Sequence, residues 1–146
     1  MSKVIVLEGI DKTGKTTILK TLHVLTNYQF VIIDRFTGSN IVYGVFHKRE
    51  IDIPKLLTLE QELVKSKTVI PVYLVANKKE ISKRIRKHQE KDIEIKDIDG
   101  LMLLYKKYML KSPFNYFILD TSYKTAEECA MMIYNEMLKR ELDDKL

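Results

Sequence analysis

Apolar positions along the chain alternate between two patterns. Short continuous runs, Lys3–Glu8 (Val4-Ile5-Val6-Leu7), Phe30–Ile33, Thr68–Val75 and Tyr116–Asp120, have strand length and β-branched character. The second run shows no alternation and predicts a strand buried on both faces, as in a parallel sheet. Pro71 is expected near the start of the third strand. Between the runs the spacing becomes helical. Ile18, Leu22 and Leu25 mark a first helix over Thr17–Leu25. A turn at Thr37–Asn40 leads to a short helix on Ile41, Val42, Val45 and Phe46, ending at His47-Lys48-Arg49. Asp52-Ile53-Pro54 opens a helix with Leu56, Leu57, Leu59, Leu63 and Val64 as its buried face. Asn77 with Glu80 resembles a capping box ahead of Ile81 and Ile85, and Thr125 with Glu128 resembles another. Leu101, Leu104, Tyr105, Tyr108 and Met109 form a stripe ended by Ser112-Pro113. Ala126, Cys129, Ala130, Ile133 and Met137 form the last, followed by a polar tail over Glu141–Leu146 expected to fray.

Strands alternating with helices predict an α/β fold: a mainly parallel sheet of about four strands with helices on both faces. At 146 residues the chain reads as one domain. The stretch His88–Asp99 is polar and predicts no core element, although Ile93, Ile95 and Ile98 could dock on one.

The chemistry is concentrated near the start. Gly9-Ile10-Asp11-Lys12-Thr13-Gly14-Lys15-Thr16 fits the phosphate-loop pattern Gly-x4-Gly-Lys-Ser/Thr, with a strand before it and a helix after. Two glycines let the backbone curl around phosphate oxygens, and the helix N-terminus adds partial positive charge. Lys15 is expected to reach the β- and γ-phosphates, and the Thr16 hydroxyl to take one position on Mg²⁺. Asp34-Arg35 ends the second strand, where parallel sheets gather their ligands: the acid could support the metal and the arginine a second phosphate. Arg84, Arg86 and Lys87 precede the polar stretch and are either charge-neutralising groups on a closing segment or a solvated helix face. Lys12 faces either solvent or the transferred group. His23, His47 and His88 have no metal or nucleophile pattern around them, and Tyr43 follows the Asp-Arg strand by one turn and half a helix.

Composition adds limits. With 45% hydrophobic and 31% charged residues and no apolar run of membrane length, a soluble globular protein is expected. The first strand begins almost at the first residue, so no leader is expected, and a single cysteine, Cys129, permits neither a disulfide framework nor a zinc site. A cytoplasmic setting fits. The net charge of +5 is spread among mixed-sign helices, which reads as solvated faces and does not call for nucleic acid.

In combination these motifs resemble the thymidylate kinase family. Val6-Leu7-Glu8-Gly9 through Lys15-Thr16-Thr17 is similar to its phosphate loop, and Asp34-Arg35-Phe36 with Ser39 and Tyr43 to its Asp-Arg-aromatic motif. Pro71–Lys87 resembles its strand and arginine-bearing lid, and Ile118–Glu128 its last strand, adenine-side loop and final helix. The resemblance implies a three-layer P-loop kinase fold with a lid around residues 84–99. It implies that Gly9, Asp11, Lys12, Thr13, Gly14, Lys15, Thr16 and Thr17 bind ATP, that Thr16 and Asp34 serve Mg²⁺, and that Arg35 holds the acceptor. Lys15, Lys12, Asp34, Arg35, Arg84 and Arg86 would then carry catalysis, with Lys12 standing where some family members have an arginine. One departure is large: the family's long segment between the loop helix and the Asp-Arg strand, which grips thymine, is absent, and Gly44 replaces a larger polar residue.

The expected activity is therefore ATP- and Mg²⁺-dependent phosphoryl transfer to a small nucleotide, a deoxynucleoside monophosphate in the first reading. The alternatives are a kinase of a hydroxyl acceptor, such as a nucleoside or polynucleotide 5′ end, and a nucleotide-binding protein without an acceptor. An apolar patch beside Asp34-Arg35 would suggest a homodimer.

Overall fold

The computed structural model describes residues 3–10, 12–88 and 94–145, the His88 side chain excepted. Asp11 and residues 89–93, including Ile93 and the middle of the expected lid, lie outside the described residues. The elements are β1 (Val4–Glu8), α1 (Lys15–Leu25), β2 (Val31–Asp34), α2 (Thr37–Phe46), α3 (Ile53–Ser66), β3 (Val69–Val75), α4 (Lys78–His88), α5 (Ile98–Lys111), β4 (Phe117–Asp120) and α6 (Ala126–Lys145), with one 3-10 turn at Ile95–Asp97.

The four strands are all parallel and ordered β2-β1-β3-β4. From β1 the chain steps to β2 on one side and then to β3 on the other. The β1/β3 junction is thus the topological switch point, beyond whose C-terminal ends such sheets bind ligands. One face packs on α1 and α6 through Leu7, Ile18, Leu22, Leu74, Cys129, Ile133 and Met137. A second core joins α2, α4 and α5 through Ile41, Val42, Ile81, Ile98, Leu101 and Tyr105. Three layers result.

Local signals set several boundaries. Asp52 caps α3 by accepting from the Lys55 N–H at 3.1 Å, with proline in the first turn. Asn77 Oδ1 accepts from the Glu80 N–H at 2.8 Å at the start of α4. At α6 both bonds of the box form: Glu128 N–H to Thr125 Oγ1 at 3.1 Å and Thr125 N–H to Glu128 Oε1 at 3.3 Å. Pro71 sits in β3 at a register paired only with β1, because pairing with β4 begins at Val72.

Four expectations are corrected. β2 is an edge strand, not one buried on both faces; Val31 is exposed because only β1 flanks it. The residues Thr37–Asn40 are the first turn of α2 and not a separate turn. In α3, Leu59 and Val64 are exposed and Glu60 is the fully buried side chain. The tail stays helical through Lys145, where Lys3 pairs with Asp144. Gly44, the departure noted above, has a packing reason: a Cβ there would lie 2.8 Å from Ile51 side-chain carbons.

Candidate functional site

The loop between β1 and α1 is held in a shape most residues would resist. Gly9 (φ +145°) and Gly14 (φ +93°) both lie at positive φ, as does Lys12 (φ +68°). A Cβ on Gly9 would stand 2.4 Å from the Leu74 carbonyl oxygen, so glycine is required by space as well as by conformation.

Groups beyond the ends of all three other strands reach this loop or the two residues before it. Beyond β4, the Thr121 hydroxyl donates to the Thr13 carbonyl at 2.7 Å. Beyond β3, Arg84 on α4 donates to the Lys12 carbonyl at 2.7 Å and pairs with Glu80 at 3.4 Å. Beyond β2, the Arg35 N–H bonds the Leu7 carbonyl at 2.9 Å, and the Phe36 N–H bonds Glu8 Oε1 at 2.8 Å. Arg35 itself is left-handed (φ +68°), and its guanidinium stands 4.9 Å from the Tyr43 ring centroid.

Lys15 is buried, with its ammonium donating to the Gly9 and Ile10 carbonyls at 2.9 Å each. Burial pulls its pKa down to about 8, against the opposing influence of Asp34 and Glu8. Glu8 is fully buried, and burial raises its pKa although the Ser39 hydroxyl and the Phe36 N–H both donate to it. Tyr105 extends the cluster: its hydroxyl lies 3.0 Å from Ser39 Oγ and 3.2 Å from the Gly9 carbonyl. A second buried carboxylate, Glu60, accepts from Thr37 at 2.5 Å, Tyr108 at 2.6 Å and Ser112 at 2.5 Å. The first turn of α2 thus lies between two carboxylates, as suits the positive end of a helix.

A cleft of about 840 Å³ runs across the C-terminal edge of the sheet. Asp34 and Arg35 stand at its β2 end, and Lys12, Thr13, Gly14, Lys15, Thr16 and Thr17 form its middle. Lys83, Arg84 and Lys87 of α4 form one wall, and Thr121, Lys124, Ala126 and Cys129 close the β4 end. Gly9 shapes the loop from behind, and Arg86 is exposed and not among the described lining residues.

Among the described residues, seven lining side chains are cationic and two, Asp34 and Glu80, are carboxylates. Cationic residues that look dispersed along the sequence thus meet at one cleft, an arrangement that suits a polyanion. Thr16 and Asp34, the residues expected to serve Mg²⁺, both line the cleft. No cluster of three or more His, Cys, Asp or Glu able to hold a metal occurs among the described residues. No described helix is long and apolar enough to cross a membrane.

Sequence reasoning missed Glu60, Ser39's bond to Glu8, and Lys83 and Cys129 as lining residues of the cleft. For Glu60 a signal existed: it falls on the 3.6-residue period of Leu56, Leu57 and Leu63, a core position occupied by an acid.

A parallel sheet ordered 2-1-3-4, a phosphate-type loop at its switch point and a cationic cleft above it define a P-loop, nucleotide-kinase-like fold. Thymidylate kinase from Candida albicans shares that fold, with a TM-score of 0.61 and 16% identity over 95% of this chain and 93% of that one. The chain belongs to the family of the SPbeta prophage-derived protein YorR of Bacillus subtilis (strain 168), with 32% identity over 122 residues, 83% of this chain and 73% of YorR. The crystal structure of YorR in complex with phosphorylated GDP matches with a TM-score of 0.78 and 27% identity, over 95% of this chain and 98% of that one. No family model matches the chain.

Proposed function

We propose that the protein is a nucleotide kinase that moves the γ-phosphoryl group of a purine nucleoside triphosphate, ATP in the reading from sequence, to a small nucleotide, in the first instance a deoxynucleoside monophosphate. The carrying observation is the single cleft in which Lys15, Thr16, Asp34, Arg35 and Arg84 all stand along the edge of one sheet. Support also comes from the YorR structure with phosphorylated GDP.

In this reading the loop and Lys15 hold the donor phosphates, and Arg35 at the β2 end holds the acceptor phosphate. An acceptor oxygen attacks the γ-phosphorus in line while the bond to the β,γ-bridging oxygen breaks, releasing the nucleoside diphosphate. The acceptor is already anionic and needs no strong base. Arg84, and Lys12 beside it, neutralise charge on the moving group. Thr16 and Asp34 would hold Mg²⁺, an ion that takes one or two protein oxygens and completes its shell with phosphates and water. Bound there, Mg²⁺ would offset charge on the donor's β- and γ-oxygens. Arg84 and Lys87, on the α4 side of the cleft, would belong to the lid.

The test is purified protein with labelled ATP and GTP, Mg²⁺, and a panel of nucleosides, monophosphates and 5′-hydroxyl oligonucleotides. Label on a monophosphate supports the proposal. Label on nucleosides or DNA ends alone replaces it with the hydroxyl-acceptor reading, and nucleotide binding with no transfer to any acceptor removes catalysis.

A further inference from the structure

The two ends of the cleft differ in what they can hold. The β2 end is polar, with Asp34 and Arg35. The β4 end has an apolar floor, Ile18, Ala126 and Cys129, under a rim that includes Arg84, Lys87 and Lys124. With phosphates over the loop in the middle, the apolar surface that the described lining residues offer a flat base is at the β4 end. This step rests on the reading of the cleft as a nucleotide site.

The rim at that end is rich in donors. Lys124 is held in place, its ammonium donating to the Asp120 carbonyl at 2.9 Å. The neighbouring Thr121 hydroxyl already donates to the Thr13 and Val75 carbonyls, so it is committed to the loop. The carboxylate that lines this end, Glu80, pairs with Arg84. Asp120 Oδ1 accepts from the Ser122 N–H, and Asp120 does not line the cleft.

A purine's edge at positions 6 and 7 meets such a rim in one of two ways. Guanine and hypoxanthine offer two acceptors there, O6 and N7, while adenine offers N7 and an amino donor at position 6. An ammonium suits the first edge and meets the adenine amine donor to donor. We propose that Lys124 is a specificity-determining residue that makes the β4 end select a 6-oxopurine nucleotide over an adenine nucleotide. No unpaired lining carboxylate is described at this end to read the N1 and N2 donors of guanine, so hypoxanthine should serve as well as guanine. ATP, the donor expected from sequence, is then the weaker of the purine triphosphates.

The experiment measures binding of GDP, IDP and ADP with Mg²⁺ by isothermal titration calorimetry, using diphosphates to avoid turnover. The expected result is that GDP and IDP bind alike and roughly tenfold more tightly than ADP, within the range a good base-edge contact supplies. Lys124→Ala should bring GDP and IDP down toward ADP, and Lys124→Arg should keep the preference. Lys124 is exposed, and an unchanged melting curve for each variant shows that its fold is intact. ADP binding as tightly as GDP overturns the proposal. So does GDP binding tightly while IDP behaves like ADP, which would place the selection at N2. A Lys124→Ala variant that weakens all three by one factor also overturns it, since Lys124 would then supply charge alone. If none of the three binds, the nucleotide site itself is refuted, and the base selectivity falls with it.

Discussion

Proton uptake on nucleotide binding gives a direct test of Lys15. In the empty protein its ammonium is buried among backbone carbonyls and its pKa is pulled down to about 8. A triphosphate placed beside it adds several negative charges and favours the charged form, returning the pKa to the usual lysine range or above. Near pH 8 about half of the empty molecules lack the proton, so binding should take up about 0.5 proton per nucleotide at Lys15. Uptake should fall to about 0.1 at pH 7 and rise to about 0.9 at pH 9.

Calorimetric titrations in buffers of different ionisation enthalpy read this number at each pH. Lys15→Arg, charged at every working pH, is the control and should abolish the rise while keeping a cation. The linkage sign also fixes the stability of the empty protein. The folded pKa is lowered, so between about 8 and about 10.5 the unfolded chain holds more protons. Stability at this group therefore rises as pH climbs through that window, and the full cost is present below it. Flat proton uptake from pH 7 to 9, or a rise that survives in Lys15→Arg, would refute the assignment of Lys15 as the phosphate-facing group.

Other outcomes are open to measurement. Glu60→Ala leaves the Thr37, Tyr108 and Ser112 hydroxyls without their common acceptor and should cost about 3 kcal/mol or more in chemical denaturation; a loss under about 1 kcal/mol would mean water replaces it. Gly44→Ala should cost about 1–3 kcal/mol by overpacking against Ile51, and combining it with Ile51→Ala should cost less than the sum of the two single changes. Thr125→Ala should lower stability by about 1 kcal/mol through loss of the α6 cap, detectable as a shift in denaturation midpoint without a change in slope. Asp34→Asn should raise the Mg²⁺ concentration needed for half-maximal transfer by roughly tenfold; an unchanged magnesium dependence would take Asp34 off the metal.

How much of this could be read from the chain follows from the range of each signal. Strand runs, helix periods and caps are local, and the α/β order, the four strands and the Thr125–Glu128 box follow from them. The loop was legible because pattern and context lie within about twenty residues. What failed depended on neighbours far along the chain. Phe30–Ile33 is as apolar as a central strand, but its exposure is set by whether a strand pairs beyond it, and among the described residues none does. The buried face of α3 was assigned to leucines because burial of an acid needs donors from α2 and α5, residues 23 to 52 positions away. The cleft's charge was hidden for a similar reason: Lys12, Arg35, Lys83, Arg84, Lys87 and Lys124 look unrelated in sequence and meet only because their segments follow adjacent strands.

The same long-range bonds explain how a chain this short can keep an ordered Asp34–Arg35 turn with only one helix between the loop and β2. Beyond β2 no further strand pairs among the described residues. The turn is braced from beneath. The Leu7 carbonyl holds the Arg35 N–H, and Glu8 holds the Phe36 N–H and the Ser39 hydroxyl. Glu60 of α3 holds Thr37 and joins it to Tyr108 of α5. Gly38 lies where these supports converge, since a Cβ there would stand 2.8 Å from the Tyr108 ring and 3.1 Å from the Glu8 carboxyl carbon. Buried carboxylates are costly unless their oxygens are filled, and here both Glu8 and Glu60 take donors from the segment that follows Arg35. The residue just before the loop and the turn at the opposite end of the cleft are therefore one bonded unit, so Lys15 and Arg35 keep their relative placement without a segment outside β2.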